Sequence, residues 1–225
     1  FDPNYDFLGN SINYSISSED NDRVDQGYEN SVLSASVGTS FEQYKDVDVS
    51  LGISASHDDL RTDESASSSL QNQEGTYNEV AGNYGFTFDK RNRAFMPTSG
   101  SVLNFGQVLP IYADKSFVSN FIRASKYQQF NENLVGAGKF YLSTVNGLGS
   151  DDVRLSKRTT ISSRRLRGFE KGKVGPVDSN SDYIGGNYVT TLNLSTNIPG
   201  LLSTVENVDF SYFIDFGNVW GVDYD

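Results

Sequence analysis

The residues best placed for a specific contact are the arginines of Arg164-Arg165-Leu166-Arg167-Gly168-Phe169. They lie inside a basic run from Lys157 to Lys173. The surrounding stretch, 147–185, holds eight Lys/Arg and five Asp/Glu, a net of +3 in a chain of net −11. Two readings follow. In one, the run is a solvated charged loop facing lipopolysaccharide phosphates. In the other, one arginine enters a polar interior, where a guanidinium needs a carboxylate, best held in bidentate geometry. Arg167 suits the second reading, because Gly168 permits a tight bend and Phe169 offers an apolar anchor. Asp215 and Asp209 are candidate partners, both on the polar side of the last alternating segment. The residues alone leave both readings open.

Covalent and acid–base chemistry has little material here. His57 is the single histidine, and no nucleophile with an orienting group stands near it in the sequence. There is no cysteine, hence no thiol nucleophile, cysteine metal site or disulfide. Asp58 and Asp59 do not spell out a calcium loop. Glu19, Asp20 and Asp22 read as solvated surface. Gly185-Gly186 lacks the strand–glycine–helix setting of a phosphate cradle. No cofactor is expected, and the acidic balance argues against nucleic acid.

The elements that must position these residues are strands. Hydrophobic content is 36%, with Tyr and Phe the main aromatics. Period-two alternation recurs along the chain. Ile12, Tyr14 and Ile16 oppose Asn13, Ser15 and Ser17. Leu33, Ala35 and Val37 oppose Ser34, Ser36 and Gly38. Residues 47–57 alternate most clearly, with Val49, Leu51 and Ile53 against Ser50, Gly52 and Ser54. Similar patterns fill 80–89 and 101–109. In 117–130, Phe117, Phe121 and Tyr127 share a parity that Ile122 and Arg123 blur. Residues 134–146, 187–197 and 207–219 complete the set. The acidic, polar segments 18–30 and 58–79 read as long loops, and Pro110 as part of a short link.

Nine strands result. Connections after the second, fourth, sixth and eighth are short, those after the first, third and seventh are long and polar, and the one after the fifth is short and breaks the rule. That layout is expected of an outer-membrane β-barrel. A soluble sandwich also alternates, but it has less reason to line one face with Ser, Gly, Asn and Asp. The stretch 147–185 is far longer than the roughly 15 residues usual for a structureless loop, so it is expected to be functional. Nine strands leave two edges, which lipid does not tolerate unpaired. The chain therefore reads as part of a larger barrel.

An ordered set of motifs resembles the C-terminal barrel of the BamA family, within the outer-membrane assembly and two-partner secretion superfamily. It comprises Leu166-Arg167-Gly168-Phe169, Val174-Gly175-Pro176, Tyr183-Ile184-Gly185-Gly186-Asn187 and Asp215-Phe216-Gly217-Asn218-Val219-Trp220. Asp89-Lys90-Arg91-Asn92-Arg93 upstream and the opening Phe1-Asp2-Pro3-Asn4-Tyr5 extend it. The resemblance implies an all-β, antiparallel, sixteen-stranded transmembrane barrel, of which residues 1–225 supply about nine strands. The first and last strands and the periplasmic POTRA domains would lie outside. It also implies that the loop at 147–185 folds inward and that Arg167 pairs with Asp215. Related barrels often carry a second acid where this chain has Ser195, so Asp209 or Asn193 would be secondary acceptors. The implied function is non-enzymatic insertion and folding of nascent outer-membrane β-barrel proteins, by lateral opening at a seam where substrate strands add. The implied partners are outer-membrane lipids, those nascent proteins and accessory periplasmic lipoproteins. A two-partner secretion or translocation transporter is the alternative within the superfamily. A passive porin is the alternative outside it.

Overall fold

The computed structural model describes residues 11–23, 27–132, 134–198 and 210–223. They form one antiparallel sheet of nine strands, each hydrogen-bonded to its neighbours in the chain. The strands are β1 (Ser11–Arg23), β2 (Tyr28–Tyr44), β3 (Val47–Thr62), β4 (Gly75–Asp89), β5 (Gly100–Ala113), β6 (Phe117–Asn131), β7 (Leu134–Gly147), β8 (Tyr188–Ile198) and β9 (Phe210–Trp220). A one-turn helix, α1 (Ser68–Gln71), lies between β3 and β4. No helix among the described residues is long and apolar enough to cross a membrane; strands cross by a different pattern.

The alternation resolves into two faces. The outer face carries the exposed apolar side chains, among them Ile16, Leu33, Ile53, Phe86, Leu103, Ile214 and Phe216. Ile16 is 83% exposed and Ile214 59%, values that suit contact with lipid. The inner face is polar and is the one the long loop covers. Its hydroxyls pair across strands, Ser15 with Ser36 and Ser17 with Ser34, both at 2.7 Å. Such cross-strand pairs hold register where no apolar packing does.

Three sequence expectations need correction. The acidic segment 18–30 is mostly strand, and β3 and β4 take up both ends of 58–79, leaving 63–74 as the connection. β1 pairs with β2 as far as Arg23↔Tyr28, and β3 with β4 as far as Leu60↔Gly75. A ladder continues past the bilayer because its hydrogen bonds do not require an apolar face, so the loss of alternation there marks the end of lipid contact rather than of the strand. Pro110 lies within β5. Ala81 pairs with Pro110 and Val80 with Tyr112, leaving Ile111 as the extra residue of a bulge, where a proline is tolerated. On β6, the aromatic parity faces inward. Phe117 is buried against Val145 and the loop residue Val153. Phe121 lies over Gly106, where any Cβ would strike its ring.

Candidate functional site: an inward-folded loop and its anchors

The loop between β7 and β8 crosses the inner face, and its ties to the strands include three centred on charged side chains. Its middle is ordered by local turns. Arg165 N–H donates to the Ser162 carbonyl at 2.9 Å and Leu166 N–H to the same carbonyl at 3.2 Å. Gly168 follows at φ +86, in the left-handed region that favours glycine. This turn aims the Arg167 side chain at β9.

There Asp215 receives three hydrogen bonds from one residue. Its Oδ2 accepts from the Arg167 backbone N–H at 3.1 Å and from Nε at 2.7 Å. Its Oδ1 accepts from Arg167 Nη2 at 2.6 Å. Asn193 Nδ2 donates to Oδ1 at 2.8 Å and to the Arg165 carbonyl at 2.6 Å, bridging strand and loop. Asn193 and Asp215 are direct partners in the β8–β9 register. The guanidinium stands 3.5 Å from the centroid of the Phe213 ring, within cation–π range. The Asp215 side chain is 3% exposed, while that of Arg167 is 36% exposed. The carboxylate is thus enclosed and its partner half-solvated.

The apolar seat of the loop is Ile161 and Leu166 packed on Val189 and Val219. Leu166, rather than Phe169, is therefore the anchor; Phe169 is 55% exposed. Ser195 lies opposite Phe213 in the β8–β9 register. Asp209 lies outside the described residues.

The glycines of the remaining motifs lie where the loop crosses the strands closely. Gly175 has φ +120, and a Cβ there would sit 2.7 Å from Val219 Cβ. A Cβ on Gly217 would meet Ile161 Cδ1 at 3.1 Å. The Pro176 carbonyl accepts from Ile184 N–H at 3.1 Å, and Gly186 exchanges two backbone bonds with Thr159. Gly185 has φ +68 beside that bridge. Trp220 stacks on Tyr188 with ring centroids 5.7 Å apart.

A second anchor lies at the base of the loop, and the sequence reading missed it. Arg154 is buried on the inner face of β3 and β4. Its Nη2 is 3.2 Å from Glu79 Oε2 and its Nε 3.5 Å from Asp58 Oδ2. Lys157 Nζ reaches the same Glu79 oxygen at 2.8 Å, and Ser156 Oγ donates to Asp58 Oδ2 at 2.6 Å. Asn30 Nδ2 donates to the other Asp58 oxygen at 2.9 Å. Burial pushes the Arg154 guanidinium below its ordinary pKa, and Asp58 and Glu79 oppose that shift. Around it, Leu155 and Ile184 pack with Tyr28, Leu60, Ala66 and Leu70. Asp58, expected in the long polar loop 58–79, is 1% exposed. The available signal was parity: Asp58 extends the polar positions Ser54 and Ser56 of β3, and Glu79 those of Ala81 and Asn83 on β4.

A third tie closes the loop at its root. Asp223 accepts from Val153 N–H and from Asn187 Nδ2, each at 2.6 Å.

No group of three or more His, Cys, Asp or Glu among the described residues could hold a metal ion. The geometry is that of a brace, built to fix a loop against a wall.

Comparison with known proteins agrees with this architecture. The model of the Omp85 superfamily domain matches residues 1–225. The crystal structure of BamA from Haemophilus ducreyi lacking POTRA domains 1–3 superposes with a TM-score of 0.85 at 24% identity. The match covers 98% of this chain and 48% of that one, so the chain spans about half the length of that structure. The chain belongs to the Omp85 superfamily, and its sheet is outer-membrane β-barrel wall.

Proposed function

We propose that the chain is the wall and inner brace of an outer-membrane assembly factor, which inserts and folds nascent β-barrel proteins into the bilayer. The observation that carries this reading is the clamp of Arg167 on Asp215, which holds a long loop against the inner face of a barrel of this family. In this reading the role of Arg167 is mechanical. It fixes one conformation of the loop. Gly168 shapes the turn, and Gly175, Gly186 and Gly217 allow the close crossing. The partners of such a protein are membrane lipids and incoming strands, which pair through main-chain hydrogen bonds at a sheet edge. Accessory periplasmic lipoproteins would dock on domains outside this chain.

The test uses the full-length protein in phospholipid vesicles. An urea-unfolded outer-membrane protein is added, and its folding is followed by heat-modifiable migration on gels. Wild type should accelerate folding, and Asp215→Asn should lose most of that acceleration. Steady conductance in a planar bilayer without acceleration would overturn the reading in favour of a porin. Export of a soluble partner into the vesicles would overturn it in favour of secretion.

A further inference from the structure

The outer face of the wall is broken at one point. Gly136 and Gly138 are consecutive outward positions of β7, since the alternate residues Ser143 and Val145 face the loop. Neither glycine presents a side chain, so a trough opens along β7. Its two rows are set by register: Lys126–Gly138–Leu194–Ile214 and Gln128–Gly136–Thr196–Tyr212. The flanking strands β6 and β8 are roughly 10 Å apart, two strand spacings. The trough has a volume of about 630 Å³ and apolar walls of Phe130, Leu194, Tyr212 and Ile214. Phe130 lies over Gly136, where a Cβ would stand 2.7 Å from its ring.

Lys126 stands on the rim of this trough, exposed and facing outward. It sits level with Leu194 and Ile214, which face lipid. An ammonium on a lipid-facing wall is unfavourable unless it reaches an anion or the headgroup layer. Among the described residues no carboxylate forms an ion pair with Lys126. Within the described residues Lys126 thus has no anion, and one supplied by the membrane would complete it. The trough lies toward the short-turn end of the sheet, near the turn between β6 and β7, and short turns face the periplasm in such barrels. The anions nearest that end are the phosphates of the turn-side leaflet.

We propose that this trough seats one acyl chain of a glycerophospholipid from the turn-side leaflet, with the lipid phosphate held by Lys126 Nζ. Gly138 makes room for the chain, Phe130 closes the trough over Gly136, and the lysine fixes its depth. The site lies on the face opposite the Arg167 clamp, and its failure would leave the assembly reading untouched.

The experiment is native mass spectrometry of the full-length protein in detergent, offered equal amounts of dioleoylphosphatidylglycerol and dioleoylglycerol. The two probes share their chains and differ in the phosphate. Wild type should retain the phospholipid over dioleoylglycerol by about fivefold, the factor expected of one lysine at a headgroup. Lys126→Gln should abolish that preference while retention of dioleoylglycerol persists. Gly138→Leu should reduce both, because its side chain fills the trough; a Cβ there meets only Leu194 Cδ2, at 3.6 Å. Lys139→Gln, one residue on and facing inward, should change nothing. Equal retention of the two probes by wild type, or an unchanged preference in Lys126→Gln, would overturn the proposal. Lys126 is exposed, so its variant decides the matter even if Gly138→Leu does not refold.

Discussion

The two charged anchors of the loop are built on opposite terms. At the tip, Arg167 meets Asp215 with two side-chain hydrogen bonds and one from the backbone, and its guanidinium remains half in water. At the base, Arg154 is enclosed between two carboxylates and two aromatic rings, with its Nε and Nη1 making no hydrogen bond. Directional bonds to a partly solvated guanidinium cost less to remake, since water can take the place of Asp215 at Arg167. A buried charge set has no such substitute, and removing one member strands the others. The tip is therefore suited to release and the base to permanence, although each is an arginine on a carboxylate.

The largest effect is expected at the base. Arg154→Ala leaves Asp58 buried without its cation and Glu79 with Lys157 alone, and should cost roughly 3–5 kcal/mol, read as a lower urea midpoint of the full-length barrel in detergent. A triple variant, Arg154→Met with Asp58→Asn and Glu79→Gln, should recover most of that loss. If it does not, the penalty is not one of stranded charge and the contrast between the anchors fails. Asp215→Asn comes next. It removes charge-assisted bonds worth about 1.5–3 kcal/mol, toward the low end because Arg167 is partly solvated. Hydrogen exchange should rise at Arg167 and Phe169 while the base at Leu155 stays protected. Exchange rising equally at both would mean that the anchors act as one. Gly168→Ala should cost roughly 1–2 kcal/mol from its left-handed backbone alone, since a Cβ there meets nothing within 4 Å. It should raise exchange at the tip only. Ser195→Ala should stay within about 0.5 kcal/mol and leave folding activity unchanged. A larger loss would show that Ser195 contributes to the tip.

The two anchors differ in how legible they are in the sequence, for physical reasons. The faces of β3, β4 and β9 are legible because lipid on one side and a polar interior on the other impose period two. The tip is legible because Arg167-Gly168-Phe169 and Asp215-Phe216-Gly217 are ordered motifs, and Asp215 has the parity of the polar face. The base is not, because Asp58 and Glu79 sit where strands run beyond the bilayer and both faces turn polar. There alternation fades although pairing continues. β6 misleads for a related reason. Phe117 faces inward because the folded loop supplies Val153 as an apolar partner, and a sequence read strand by strand does not contain that contact. Phe169 looks like an anchor by type, yet Leu166 takes the apolar seat because the turn from Ser162 points it at Val189 and Val219.

Asp223 sets a limit on what the loop can do. Its two oxygens hold Val153, near the loop's entry, and Asn187, at its exit. The insertion is thus a noose drawn shut at its neck, with Thr159 and Gly186 forming a second crossbar just above. A tip freed from Asp215 cannot unspool. It can only swing on the ribbon between these knots, so the travel of Arg167 is bounded by the length of chain between residues 159 and 186. Cutting the neck, rather than the tip, would be needed to let the whole insertion leave the barrel interior.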